Sequence, residues 1–134
     1  VLNRKVPLVR SMDDFIMAPH SRYTEVRRKD IEKVSDLVIL AVSEEAGVYL
    51  VMKRDGSQVF VQGHPEYDRM TLNNEYHRDL TKGLNPELPC NYYEDNDPFA
   101  VPVLSWRNAA NTLYGNWLNF YVYQETPYIL GEDA

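Results

Sequence analysis

The stretch Val59-Phe60-Val61-Gln62-Gly63-His64-Pro65-Glu66-Tyr67 holds residue types that proton transfer uses. His64 can take and return a proton near neutral pH. Glu66, two residues on, can hold the imidazole tautomer and stabilise the imidazolium. The pair supplies a general base and its orienter but no nucleophile. His-x-Glu is a short pattern, and a turn with a surface His and Glu accounts for it as well. A second candidate is Ala18-Pro19-His20-Ser21-Arg22-Tyr23. A hydroxyl and a guanidinium this close suit a small carboxylate or a polar amino acid. The plainer alternative is a polar loop capping a strand. Adjacent side chains on a strand point to opposite faces, which argues against a Ser21–His20 nucleophile pair.

A third candidate lies in Glu75-Tyr76-His77-Arg78-Asp79. Arg78 could clamp a substrate carboxylate with two parallel hydrogen bonds. Its default is a local pair with an acid such as Glu75. No metal is expected: His64 and His77 do not share a helix, and no His-Glu-x-x-His spacing occurs. Cys90, in Leu88-Pro89-Cys90-Asn91, lacks the Gly-x-Cys-x-Gly setting of a nucleophile on a strand-to-helix turn. It reads as a free structural cysteine.

These residues need elements to place them. Phe15 to Ala18 is an apolar run stopped by Pro19, which predicts a buried strand delivering the loop His20-Ser21-Arg22. Leu37 to Val42, Val48 to Met52 and Val59 to Gln62 predict three strands. The turns between them are Ser43 to Gly47 and the Asp-Gly signal at Arg54 to Ser57, so the three form a meander. Asp30 to Lys33 predicts a short helical turn before it. His64 and Glu66 would then sit at the carboxyl end of a strand, where open α/β sheets place ligands. Gly63 permits a close backbone turn there, and Pro65 fixes the exit. Arg69 to Lys82 predicts a helix with Leu72, Tyr76 and Leu80 on one stripe, stopped by Gly83. Asn85 to Pro102, with four prolines, predicts an irregular arm. Trp106 to Tyr123 predicts the strongest helix, with Trp106, Ala110, Leu113, Trp117 and Phe120 on one face. The aromatic residues of this last third serve a core or a subunit interface.

The chain has 134 residues, 44% of them apolar and 25% charged, which excludes disorder and leaves enough apolar surface for a core. A net charge of −6 repels a phosphate backbone, so no nucleic acid is expected as partner. No apolar run approaches the roughly 20 residues of a membrane helix. One cysteine excludes an internal disulfide and suits a reducing cytoplasm.

Assembled, these segments resemble the homoserine O-acyltransferases of methionine biosynthesis, which take succinyl or acetyl groups. The resemblance is carried by Phe15 to Glu25, Val59 to Asp68, Glu75 to Leu80, Pro89 to Asp97 and Ser105 to Tyr128. It implies an α/β fold, the C-terminal portion of a flavodoxin-like domain similar to class I glutamine amidotransferases, with a Cys-His-Glu triad. It implies that His64 is the general base and Glu66 its triad partner. Ser21 would line the substrate site, and Arg78 would bind L-homoserine. Acyl-CoA would be the co-substrate, with no bound cofactor. A cysteine would carry the acyl group as a thioester before the homoserine hydroxyl attacks it. That cysteine and two lysines of the family match nothing in residues 1–134, and Cys90 does not match the nucleophile. The chain is therefore expected to be the C-terminal part of one acyltransferase domain. Its partners would be the N-terminal portion of the same protein and a second copy in a homodimer.

Two rival classes remain. An amidotransferase-type glutaminase has a similar Gly-His-Pro-Glu turn, but Pro-His-Ser-Arg, Glu-Tyr-His-Arg-Asp-Leu and the aromatic tail favour the acyltransferase. A non-catalytic binding or assembly fragment is the other. The isolated chain is expected to show no acyl transfer in a coupled assay. Turnover that Cys90→Ala abolishes would overturn both the inactivity and the reading of Cys90.

Overall fold

A computed structural model describes residues 1–127. Three strands form one antiparallel sheet in the order β1-β2-β3: β1 Leu37–Ser43, β2 Gly47–Lys53 and β3 Val59–Val61. This is the predicted meander. Its register pairs Leu37 with Lys53 and Leu50 with Val61, with an irregularity around Ile39 to Val42. Turn chemistry sets that register. Gly47 and Gly56 both adopt positive φ, at 77° and 76°, a region open to glycine at little cost. Asp55 Oδ1 accepts from the Ser57 N–H at 2.9 Å and the Ser57 hydroxyl at 2.6 Å, closing the second turn.

The central strand is buried from Val48 to Met52 without interruption, because both faces of the sheet are covered. On one side Leu40, Leu50 and Met52 pack with Leu8, Val9, Met12 and Leu113. On the other, Val48 and Val51 meet Ile31 of the short helix α1 (Arg28–Ile31). Helix α3 (Arg107–Trp117) brings Leu113 to the first cluster. It is fastened to the 3₁₀ turn Pro7–Val9 by Asn116, whose amide donates to the Leu8 and Arg10 carbonyls at 3.0 and 2.7 Å.

Three sequence expectations change. Phe15 to Ala18 is not a strand but an irregular segment, and Phe15 is 93% exposed. No strand among the described residues lies beside it to complete a ladder, and its apolar content buries only Ile16 and Ala18 in part against the first cluster. The long C-terminal helix keeps its α geometry only to Trp117, then widens into a π-helical turn over Leu118–Tyr123. That turn seats Tyr121, whose hydroxyl accepts from the Leu8 N–H at 3.3 Å. Trp117 is 41% exposed, so the expected apolar stripe fully buries only its first half, Trp106, Ala110 and Leu113. Tyr128, the last residue of the aromatic segment, lies outside the described residues.

Helix α2 (Thr71–Thr81) matches the predicted helix within two residues at its start and one at its end. Leu72 is its buried anchor, packed with Tyr92, Tyr93 and Trp106, while Leu80 is exposed. The arm from 85 to 102 is irregular as expected, with one 3₁₀ turn at Glu94–Asn96. It doubles back so that Tyr92 and Tyr93 roof α2. Tyr93 donates to Asn73 Oδ1 at 2.8 Å, and the Tyr92 hydroxyl accepts from the Asn73 N–H at 3.1 Å. Among the described residues no helix is long and apolar enough to cross a membrane.

Candidate active site

Strand β3 ends at Val61, and the chain turns through Gln62 and Gly63 into His64. The turn is pinned from the N-terminal segment. The His64 N–H donates to the Pro19 carbonyl at 2.7 Å. Gly63 makes this approach possible, since a Cβ there would lie 2.8 Å from the Pro19 oxygen and 3.1 Å from the Tyr49 ring. Arg22 clamps the same junction. Its guanidinium donates to the Gln62 carbonyl at 2.8 Å and to His20 Nδ1 at 2.7 Å, and it also reaches the Ala46 carbonyl in the first hairpin turn. Of the two readings of this loop, the structure favours the plainer one: Arg22 bonds to two backbone carbonyls and an imidazole.

His64 Nδ1 and Glu66 Oε1 are 2.9 Å apart, in the geometry of a base and its orienter. With Nδ1–H donated to the carboxylate, Nε2 is the basic nitrogen, and it has no hydrogen-bond partner among the described residues. The Tyr67 ring stacks on His64, with centroids 4.4 Å apart and planes 8° from parallel. The Tyr67 hydroxyl donates to Glu75 Oε1 on α2 at 2.8 Å. Burial and this carboxylate push the Tyr67 phenol up to about 12, so it stays a donor. Burial also raises Tyr49 and Tyr114, and the Glu66 carboxylate adds to the rise in both.

Arg78 does not pair with Glu75, which is engaged by Tyr67. Its Nε donates to Asp79 Oδ1 at 2.8 Å, and Tyr23 donates to the other oxygen, Oδ2, at 2.7 Å. These two donors hold the Asp79 carboxyl below its ordinary range although the residue is buried. The terminal nitrogens of Arg78 have no hydrogen-bond partner among the described residues, and its side chain is 53% exposed. Ser21 lies two residues from the Pro19 carbonyl and two from Tyr23. It is half-buried, and its hydroxyl is unpaired among the described residues. His64 and Glu66 therefore meet directly. Ser21 and Arg78 are tied to them through Pro19 and through the Tyr23–Asp79 and Tyr67–Glu75 bonds.

Sequence reasoning did not single out Tyr67, Asp79 or Tyr23 as members of this network. The Tyr67–Glu75 bond spans 8 residues and the Tyr23–Asp79 bond 56, and no local spacing signals either. Cys90 is exposed, with Sγ 3.9 Å from Glu45 Oε2 and no histidine partner among the described residues. No three His, Cys, Asp or Glu side chains converge as a metal site among the described residues.

A family model described as homoserine O-succinyltransferase matches residues 1–128. Homoserine O-acetyltransferase of Lachnoclostridium phytofermentans is 62% identical over 130 residues, which are 97% of this chain and 43% of that protein. The protein of the same name from Agathobacter rectalis is 60% identical over 128 residues, 96% of this chain and 41% of that one. The one from Thermotoga neapolitana is 54% identical over 129 residues, covering 96% and 42%. The chain spans about two fifths of the length of these curated relatives.

Two predictions follow from the junction at Gly63. Gly63→Ala should lower stability by about 1–3 kcal/mol through overpacking against the Pro19 carbonyl, read as a shift in urea midpoint; an unchanged midpoint would contradict the tight approach. Burial first, then the Arg22 and His64 charges, lower the His20 pKa to about 4. The unfolded chain takes up a proton at about pH 6.5 that the folded chain refuses until about pH 4. Stability should therefore fall as pH drops through that window, and His20→Asn should flatten the fall. An equal slope in the variant would contradict it.

Proposed function

The chain belongs to the homoserine O-succinyltransferase family, and on that premise we propose that it supplies the base and substrate-clamp portion of a homoserine O-acyltransferase of methionine biosynthesis. The observation that carries the proposal is the His64–Glu66 pair, with Nε2 left open on a rigidly pinned turn. In this reading a cysteine outside residues 1–134 attacks the acyl-CoA thioester. The acyl group passes to the cysteine sulfur, and coenzyme A leaves with a proton returned by His64. His64 Nε2 then removes the proton of the L-homoserine hydroxyl. The oxygen attacks the enzyme thioester, the ester product forms, and the cysteine thiolate is released. Glu66 stays ionised and steadies the imidazolium in both halves.

Arg78 would bind the homoserine carboxylate through its two terminal nitrogens, since only Nε is used by Asp79. Ser21, on the segment pinned beside His64, would line the same pocket. The names of the relatives favour acetyl-CoA as donor over succinyl-CoA. The flavodoxin-like core would be completed by chain outside this segment, with the meander at its margin. A cytoplasmic homodimer is the expected setting.

The test is a full-length chimera in which residues 1–128 replace the matching segment of one of these relatives. It should acylate homoserine, and acetyl-CoA should outperform succinyl-CoA. His64→Ala should lower kcat by about 10²- to 10⁴-fold. Arg78→Ala should raise the KM for homoserine about 10- to 100-fold while thioester formation from acyl-CoA stays intact. Loss of thioester formation in Arg78→Ala would refute the clamp role, and full activity in His64→Ala would refute the base.

A further inference from the structure

A base catalyst needs its ring plane fixed as well as its tautomer. Glu66 fixes one nitrogen of His64, but a single hydrogen bond leaves the ring free to rock about it. The Tyr67 ring lies flat against the imidazole at 4.4 Å and 8°, closing one whole face. Tyr67 is itself held at both ends. Its hydroxyl is bonded to Glu75 on α2, and its backbone carbonyl accepts from Trp106 Nε1 at 2.9 Å. Trp106 is buried against Leu72 and Tyr92, so the platform rests on a core cluster and not on a mobile loop. The titratable groups around the pair include Glu66 at Nδ1, His20 across the Gly63 junction, Glu75 behind the Tyr67 hydroxyl, Arg78 near Tyr67, and Tyr49 and Tyr114 near Glu66.

We infer that Tyr67 is a positioning residue for His64, holding the imidazole plane so that Nε2 points along one direction from the Glu66 bond. The inference rests on the reading of His64 as the base. The stacked face carries the negative lobe of the ring quadrupole toward the charge His64 gains when it accepts a proton, at a distance within the range of cation–π attraction. The hydroxyl is not required for the stack itself. It anchors the ring from behind.

The contact is testable in the chain itself, and its consequence in the chimera. The His64 ring protons should resonate upfield of a free histidine in the 134-residue chain, because they lie over an aromatic face. Tyr67→Met, which keeps apolar volume, should abolish that shift. Tyr67→Phe, which keeps the ring, should retain it. In the chimera, Tyr67→Met should lower kcat about 10- to 100-fold with the KM for homoserine unchanged, and Tyr67→Phe should restore most of the loss. Equal kcat in wild type and Tyr67→Met would overturn the inference, as would unshifted His64 protons in the wild type. Equal loss in Phe and Met variants would overturn the ring as the cause. If Tyr67→Met moves the His64 signals while His64→Ala leaves turnover intact, the reading of His64 as base falls and the contact stands.

Discussion

Pro19 offers its carbonyl to the His64 N–H at 2.7 Å, and Gly63 is the residue that lets the two segments meet so closely. Everything proposed for the site depends on this junction. It joins the irregular stretch 12–27, which has no helix or strand of its own, to the end of the meander. Without it, Ser21 would have no fixed relation to His64. Arg22 reinforces the junction from the other side through carbonyls of Gln62 and Ala46. A guanidinium is suited to this, since its planar donors reach several acceptors at once.

A second layer of order comes from α2. One helix face presents Glu75 to Tyr67, and Asp79, one turn on, takes Tyr23. The spacing of four residues places both carboxylates on one side of the helix. The same helix carries Arg78, so the proposed base and the proposed clamp are referenced to one rigid body. The arm of residues 85–102 buries Tyr92 and Tyr93 over that helix, which gives the arm a role beyond linkage. Hydrogen bonds from aromatic hydroxyls recur throughout this layer: Tyr23 donates to Asp79, Tyr67 to Glu75, Tyr92 to the Arg69 carbonyl and Tyr93 to Asn73.

Much of this is legible in the sequence alone. The meander was readable because turn residues and apolar runs agree, with Gly47 and Gly56 at positions that demand positive φ. The His64–Glu66 pair was readable because both residues lie on one turn, where sequence distance and spatial distance coincide. Phe15 to Ala18 misled because an apolar run implies burial but cannot supply a neighbouring strand. A local acid as partner of Arg78 is legible in the sequence, but which one is not: Tyr67 claims Glu75, and the buried Asp79 takes the guanidinium. Tyr67 itself carried no signal, because a stack depends on the path of the turn and on Trp106, 39 residues away.

The central claim is that His64, steadied by Glu66 and Tyr67, serves a cysteine outside this segment. A crystal structure of the full-length chimera measures that relation directly. The account predicts a cysteine sulfur roughly 3–4 Å from His64 Nε2, on the side opposite Glu66, with Arg78 facing the same cavity. A structure in which Nε2 meets no thiol, with the reactive cysteine paired to another base, would contradict it.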